Sequence, residues 1–176
     1  MLNDDNNNAK VCWYAARTGR GHELSVRRKL DELGVVNFIP SKEVYRERRG
    51  RKVKVEEALI PNLVFLRTTK TFACELANSG CINVHYMIDH STRSLLVVPD
   101  RQMESFIKVV SDAPDPICPE DYQFVPGGKV RVTKGSFAGV EGEVVLLPNR
   151  TFVVVSLGGL VCAKVQIPRS NLEPVD

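Results

Sequence analysis

The sequence lacks the features that mark zinc, disulfide-rich and membrane proteins. Its cysteines, Cys12, Cys74, Cys81, Cys118 and Cys162, are odd in number, and no two of them have C-x2-C spacing, so neither a zinc site nor a disulfide framework is predicted. We expect buried, reduced thiols. No apolar run approaches the ~18 residues of a membrane span, and the polar start MLNDDNNNAK does not resemble a signal peptide. These absences predict a cytoplasmic protein that does not contact a membrane.

Signatures of catalysis and of cofactor binding are also missing. His22, His85 and His90 are scattered along the chain, without the spacing of metal ligands. The sequence shows no pairing of a nucleophile with a base, no metal cluster and no phosphate-binding glycine loop. It therefore predicts a protein that is not an enzyme and has no metal site and no cofactor.

Charge of either sign is nearly balanced, but it is unevenly distributed. The chain has 24 Lys and Arg against 21 Asp and Glu, a net charge of +3. Residues 1–110 hold 18 basic and 13 acidic residues, a net +5, and residues 111–176 hold 6 and 8, a net −2. A basic first part is compatible with an anionic partner such as nucleic acid, although many unrelated domains differ by as much.

Apolar periodicity predicts one domain over residues 11–110, after a disordered tail at 1–10. The predicted strands are 11–16, 35–40, 59–68, 84–88 and 94–98, and the predicted helices are 22–33, 71–79 and 100–110. Gly34 is placed to end the first helix. This order is typical of an α+β sandwich, a small antiparallel sheet packed with helices. The run 42–54, with seven basic and two acidic residues, predicts an exposed hairpin or a mobile loop with opportunistic phosphate contacts.

A proline-rich linker at 111–123 separates this domain from a second one at 124–176. The linker begins SDAPDPICPED, with three prolines in eleven residues, which indicates a stiff connector. Strands are then predicted at 129–133, 142–147, 151–157 and 161–168, because β-branched residues alternate there. Four or five short strands in so few residues favour a small closed barrel of the SH3-like kind.

The spacing V-x-V-x-x-G-x-F-x-G-x-x-G-x-V over residues 130–144 resembles the KOW motif. Gly135, Phe137, Gly139 and Gly142 carry it. The glycines fall where a tight loop must turn between two strands, and glycine tolerates positive φ without a Cβ penalty. Glycines alone are ordinary turn residues, and the ordered spacing is what favours the motif.

KOW modules occur in ribosomal proteins and in NusG-type transcription factors, and the first domain decides between them. WYAARTGRGHE (13–23) resembles the start of the NusG amino-terminal domain. NFIP (37–40) and LIPNLVFL (59–66) resemble its next signatures, and CINVHYMID with LLVVPDRQME (81–104) its last strands and closing helix. The resemblance extends over 11–175. Within the NusG family, the length and the loop ERRGRKVKVEEALIPN are similar to the specialised RfaH and UpxY paralogues.

The resemblance implies a monomer that docks on the clamp region of elongating RNA polymerase. The positions that match the family's apolar docking patch are Tyr14, Ile60, Pro61, Leu63 and Phe65. Ile60 and Leu63 stand where the family usually has aromatic residues, which affects the strength of docking. Interface cores favour such aromatic and aliphatic anchors, but a place in the protein core explains any one of them equally well.

A second set, Arg20, Arg27, Arg28 and Lys29, matches the region that faces the exposed non-template DNA strand in sequence-specific relatives. Cationic groups along a strand's phosphates are what single-stranded binding requires. The alternative is a solvated helix face that pairs with nearby acidic residues.

The function implied is transcription antitermination or elongation, with suppression of pausing or termination at specific operons such as capsular polysaccharide loci. The KOW domain would recruit Rho or a small-subunit ribosomal protein, and antitermination favours the ribosomal protein or no partner. The alternatives are a general NusG-like factor or a ribosome-associated RNA-binding KOW protein, for which the chain is not basic enough. Because each glycine costs roughly 1 kcal/mol inside a helix, we expect the barrel, and not the helical hairpin that RfaH forms, as the resting state.

Overall fold

The structure, a computed structural model, describes residues 9–118, 127–147, 150–157 and 160–175. Contacts divide the chain into an amino-terminal unit, 1–99, and a carboxyl-terminal unit, 100–176. Each contains an antiparallel sheet and at least one helix, so the predicted α+β class is confirmed. Most of the predicted tail, and the linker beyond Cys118, lie outside the described residues.

The amino-terminal unit has nine strands and two helices in its described residues. The strands are β1 (Val11–Arg17), β2 (Val36–Phe38), β3 (Ser41–Arg48), β4 (Arg51–Ala58), β5 (Leu63–Thr69), β6 (His85–Tyr86), β7 (Ile88–Asp89), β8 (Ser94–Leu95) and β9 (Val97–Val98), and the helices are α1 (Glu23–Glu32) and α2 (Lys70–Asn78). The main sheet has the order β2-β5-β1-β6, with β9 also paired to β1, and β3–β4 and β7–β8 form separate pairs.

Helix α1 shows why these residues fold as the periodicity predicts. Val26 and Leu30 lie one turn apart and are buried. The helix ends at Gly34, whose φ is +68°. The Gly34 N–H donates to Asp31 O at 3.0 Å and the Val35 N–H to Leu30 O at 2.9 Å, which is the Schellman arrangement. The predicted helix end is confirmed.

The basic run forms a hairpin, one of the two forms that the sequence predicts. Strands β3 and β4 pair in continuous register from Ser41 opposite Ala58 to Arg48 opposite Arg51. Arg49 and Gly50 make the turn with φ of +51° and +73°. Two consecutive positive φ values are those of a type I′ turn, which matches the right-handed twist of the strands.

In its described residues, the carboxyl-terminal unit has a five-stranded antiparallel sheet and one helix. Its elements are α3 (Asp100–Asp112), β10 (Lys129–Val132), β11 (Glu141–Leu147), β12 (Arg150–Leu157), β13 (Val161–Gln166), a 3-10 turn (Arg169–Asn171) and β14 (Leu172–Pro174). The strand order is β13-β12-β11-β10-β14, and among the described strands β13 and β14 are its two ends. All four predicted strands are present, and β14 is the fifth.

The motif glycines have two different roles. Gly135 and Gly139 have φ of +85° and +89° in the turn between β10 and β11, as predicted. Gly142 lies inside β11, and a Cβ there would sit 2.4 Å from the carbonyl oxygen of Val154. The expectation that Gly142 serves the turn is wrong, because what it allows is the close approach of β12.

Helix α3 groups with the carboxyl-terminal sheet, whereas the sequence places it at the end of the first domain. It contacts β11, β12 and β13. The buried hydroxyl of Ser105 accepts the Glu141 N–H at 3.2 Å, and Lys108 Nζ donates to Ala138 O at 2.7 Å. These hydrogen bonds are among the contacts that group α3 with the carboxyl-terminal sheet.

The expectation of buried cysteines is wrong for four of the five. Cys74 and Cys81 are exposed, Cys12 and Cys162 are partly exposed, and Cys118 is buried. All five are free thiols. Cys74 lies on α2 beside the exposed Glu75, whereas Ala73 and Leu76 are the residues of that helix that are buried.

The full-length protein is expected to give a far-ultraviolet circular dichroism spectrum in which strand outweighs helix. Of the described residues, the strands account for 69 and α1–α3 for 32. A refolded, helical carboxyl-terminal unit would reverse that balance. A spectrum of the intact chain dominated by helix would therefore contradict the barrel as the resting state.

Candidate functional site

The central strands of the amino-terminal sheet are buried on both faces. Residues 13–16 of β1 and 63–66 of β5 are all buried, with Trp13 the most exposed at 7%. Side chains of paired residues point to the same face of a sheet and alternate along each strand. Because Tyr14 pairs with Leu66 and Ala15 with Phe65, Tyr14 and Phe65 lie on opposite faces.

The five predicted docking residues are therefore not one patch. Tyr14 lies on the face of the core formed with α1 and α2, where its ring meets that of Tyr86 edge to face at 6.2 Å. Leu63 and Phe65 share the other face and are buried as well. Ile60 is half-buried, and Pro61 is the exposed member of the set.

Ile60 and Pro61 belong to a loop, 59–62, that leads into β5. The Leu59 N–H donates to Pro40 O at 2.7 Å, which fixes the start of the loop. At its end, Asn62 has a φ of +66°, a left-handed conformation that asparagine tolerates better than most residues. We call residues 59–62 the docking loop.

Glu23, the first residue of α1, holds the docking loop from beneath. Its Oε1 accepts the Asn62 N–H at 2.8 Å, and the Thr18 N–H donates to Asn62 O at 3.0 Å. Glu23 is only 4% exposed. Burial raises the pKa of this carboxyl, but the N–H groups of Asn62, Glu23 and Gly21 outweigh burial and hold the pKa below its ordinary value. This role was not predicted from the sequence, because Glu23 and Asn62 lie 39 positions apart.

Glu23→Gln is expected to lower the free energy of unfolding by about 1–2 kcal/mol at neutral pH, because a neutral acceptor replaces a charged one. The lowered pKa of Glu23 means that its stabilisation is complete above the ordinary carboxyl pKa and is lost as pH falls through the folded value. Urea unfolding at pH 7 and at a series of acidic pH values measures this. The difference between wild type and variant should shrink in acid, and a constant difference would contradict the assignment.

Two of the four predicted nucleic-acid residues, Arg27 and Lys29, make hydrogen bonds within the protein, although Lys29 is also exposed. Arg27 forms an ion pair with Glu56 and donates to Ile39 O at 3.0 Å and Ser41 Oγ at 2.9 Å. The ammonium of Lys29 donates to the Cys81 carbonyl at 2.9 Å. Arg27 and Lys29 therefore join α1 to its neighbours.

Arg20 and Arg28 are exposed. Arg17, which the sequence analysis did not select, is also exposed and pairs with Leu63 at the end of β1 next to the docking loop. These three exposed guanidinium groups, two predicted and one not, can contact an anionic partner.

The carboxylates in the hairpin's described ion pairs, Glu43, Glu56 and Glu57, lie toward its base. Arg46 makes a bidentate contact with Glu57 at 2.6 and 2.7 Å, and the hydroxyl of Ser41 donates to Glu56 at 2.5 Å. The Ser41 hydroxyl and Arg27 lower the pKa of Glu56 against the effect of burial. The basic residues at the tip, Arg48, Arg49, Arg51 and Lys52, are all exposed.

Among the residues that the structure describes, no group of His, Cys, Asp and Glu side chains is arranged to hold a metal ion. None of the described helices is long and apolar enough to cross a membrane.

Comparison with known families identifies the family to which the chain belongs. The family model described as transcription termination factor NusG matches residues 11–107, more than half of the chain. The chain belongs to the NusG family. It is therefore a NusG-like transcription elongation and termination factor, and the family's members are not enzymes.

The similarity to individual relatives extends over both units. The transcription termination/antitermination protein NusG of Pseudomonas aeruginosa strain PAO1 is 27% identical over 176 residues, which cover 93% of this chain and 98% of that protein. A structure describing the domain interaction in Thermotoga maritima NusG is similar, at 21% identity and a TM-score of 0.49, over 95% of this chain and 98% of the other. The MjSpt4:Spt5 complex matches at 14% identity and a TM-score of 0.29, over 93% and 97%.

Proposed function

We propose that this NusG family member is an antitermination factor that binds elongating RNA polymerase through its amino-terminal unit and acts in the cytoplasm. The observation that carries the proposal is the docking loop. It presents Ile60 and Pro61 at positions that match the family's docking patch, and Glu23 and Thr18 fix its backbone. A loop that is already ordered loses little conformational entropy on binding.

Polymerase docking is supported by the arrangement of exposed groups around that loop. Pro61 is exposed and Ile60 is partly exposed, so together they offer a small apolar contact. Arg17 and Arg20 are exposed near the end of β1. An apolar centre with a cationic rim suits a protein surface that also carries nucleic acid.

Contact with the non-template DNA strand is the second part of the proposal. Arg20 and Arg28 are available for phosphate contacts, whereas Arg27 and Lys29 are held in intramolecular hydrogen bonds. Each phosphate contact that a cation makes adds to the salt dependence of binding. The proposal therefore assigns DNA contact to Arg20 and Arg28 and removes it from the other two.

We further propose action at specific operons, such as capsular polysaccharide loci, and recruitment of a small-subunit ribosomal protein or Rho by the KOW unit. The motif's turn, with Phe137 half-buried between Gly135 and Gly139, is the recruitment surface. The competing function is that of a general elongation and termination factor. The Pseudomonas aeruginosa relative favours it, because that protein is named for termination as well as antitermination and matches over nearly its full length.

Two measurements test the proposal and separate the alternatives. Co-purification with core RNA polymerase, followed by single-round transcription on a template with a pause site and a terminator, tests binding and activity. We expect shorter pauses and more read-through. Genome-wide occupancy of the factor then tests specificity: occupancy confined to a few operons supports the specialised function, and broad occupancy on transcribed genes supports the general one.

A further inference from the structure

Two free thiols face each other at the edge of the carboxyl-terminal sheet. Residues 116–118, just after α3, run antiparallel to β13, with Ile117 opposite Ala163. The Cys118 N–H donates to Cys162 O at 3.2 Å, and the Lys164 N–H donates to Pro116 O at 2.6 Å. This register sets Cys118 directly across from Cys162.

The spacing of that pair suits a covalent link. Residues that face each other in a hydrogen-bonded antiparallel pair have Cα atoms about 5.5 Å apart, and disulfides span Cα separations of roughly 4.4–6.8 Å. Opposed side chains also point to the same face of the ladder. Both thiols belong to one cluster with Val145, Val154 and Phe152, so burial of Cys118 holds the two groups together.

The two thiols differ in reactivity. Cys118 donates a hydrogen bond to the sulfur of Cys162, and this bond, helped by the charge of Lys164, lowers the pKa of Cys162 against the effect of burial. The same hydrogen bond, together with burial, raises the pKa of Cys118. Cys162 is partly exposed and Cys118 is buried. Cys162 is thus the thiol that meets an oxidant and Cys118 the one that resolves the product.

We propose that Cys118 and Cys162 form a reversible disulfide on exposure to a hydroperoxide, which fastens the segment after α3 to the edge strand β13. The Cys162 thiolate attacks one peroxide oxygen, the O–O bond breaks, and the product is a sulfenic acid. For hydrogen peroxide, the leaving hydroxide takes a proton and becomes water. The Cys118 sulfur then attacks the sulfenic sulfur, the S–O bond breaks, and a second water leaves with the Cys118 proton.

The link would change how the carboxyl-terminal unit opens. Reduced, residues 116–118 are held to β13 by hydrogen bonds such as those of Cys118 and Lys164, and these can open locally. Oxidised, the segment cannot leave β13 without reduction. The link between Cys118 and Cys162 does not depend on polymerase binding.

The test uses the full-length protein, reduced, freed of reductant, treated with hydrogen peroxide and then blocked with N-ethylmaleimide. Tryptic mapping without reductant should show residues 109–129 joined to 151–164, at least tenfold more abundant than any link that involves Cys12, Cys74 or Cys81. Dithiothreitol should remove this species. The linked protein should also unfold on heating ~5 °C or more above the reduced form.

Single cysteine variants identify which thiol reacts with the peroxide and which one resolves the sulfenic acid. Cys74→Ser is the matched control, because it removes an exposed thiol of the other unit and should leave the yield of the link unchanged. Cys118→Ser should leave a sulfenic acid on Cys162 that dimedone traps, and Cys162→Ser should leave nothing to trap on Cys118. If the wild-type chain gives no 109–129 to 151–164 link at any peroxide concentration, or if links form equally among all five cysteines, the proposal is overturned.

Discussion

Gly142→Ala is expected to unfold the carboxyl-terminal unit or to remove about 3 kcal/mol or more of its stability. A Cβ at this position would lie 2.4 Å from Val154 O and 2.9 Å from Val154 C, and real Cβ atoms do not approach backbone so closely. The obstacle is the backbone of the neighbouring strand, which cannot rotate away. Relief requires β11 and β12 to separate, with loss of the pairing between Glu143 and Val154.

Gly128→Ala is the matched control, because it makes the same chemical change in the same unit. Nothing lies within 4 Å of a Cβ built on Gly128. Its effect on the free energy of unfolding should stay within about 1 kcal/mol. Urea denaturation followed by circular dichroism measures both variants. Equal stabilities for the two alanine variants would show that the sheet relaxes around Gly142, contrary to the argument from close approach.

The double variant Ile60→Ser, Pro61→Ser is expected to bind core RNA polymerase about tenfold or more weakly than wild type, with little change in stability. Removing anchor side chains from an interface commonly costs that much. Neither residue is part of the buried core, and the hydrogen bonds from Asn62 to Glu23 and Thr18 remain. Equilibrium titration of labelled polymerase gives the change in affinity.

Leu33→Ser controls for the loss of an exposed aliphatic group elsewhere in the same unit, since Leu33 is 51% exposed at the end of α1. It should bind polymerase like wild type. Phe65→Ala and Tyr14→Ala do not test docking in the same way. Both side chains are buried, and their removal should cost about 3–5 kcal/mol of stability. Wild-type affinity in the Ile60, Pro61 double variant would place the docking surface elsewhere.

The elements of this fold could be predicted from sequence, but the faces of its central strands could not. Residues 13–16 and 63–66 are continuous apolar runs because both faces of β1 and β5 are covered. A run without alternation carries no information about which side each residue takes. For that reason the sequence places Tyr14 and Phe65 in one predicted patch, and only the register of β1 with β5 separates them.

The docking loop illustrates a second limit of prediction from sequence. The predicted set included Ile60 and Pro61, but not Glu23, whose hydrogen bond to Asn62 spans 39 positions of the sequence. No local sequence pattern predicts that a carboxylate will be buried beneath a distant loop. The role of Gly142 could not be predicted for the same reason: the motif spacing locates the glycine, but the strand that approaches it lies across the sheet.

Helix α3 shows that an amphipathic pattern predicts a helix without predicting its partner. Met103, Phe106 and Val110 repeat at helical spacing and are buried. The hydrogen bonds of Ser105 and Lys108, which the pattern does not contain, add to the contacts of the helix with β11, β12 and β13.

The hairpin of β3 and β4 has a base that ion pairs hold in place and a tip, residues 48–52, whose basic side chains are exposed. The seven steps from Ser41 to Arg48 extend about 24 Å at the rise of an antiparallel strand. Its ion pairs use Glu56 and Glu57, which lie near the base, and the cations of the tip make none of those contacts. We expect substitutions in the tip to change which partners the protein contacts far from its core. The free energy of unfolding should remain the same.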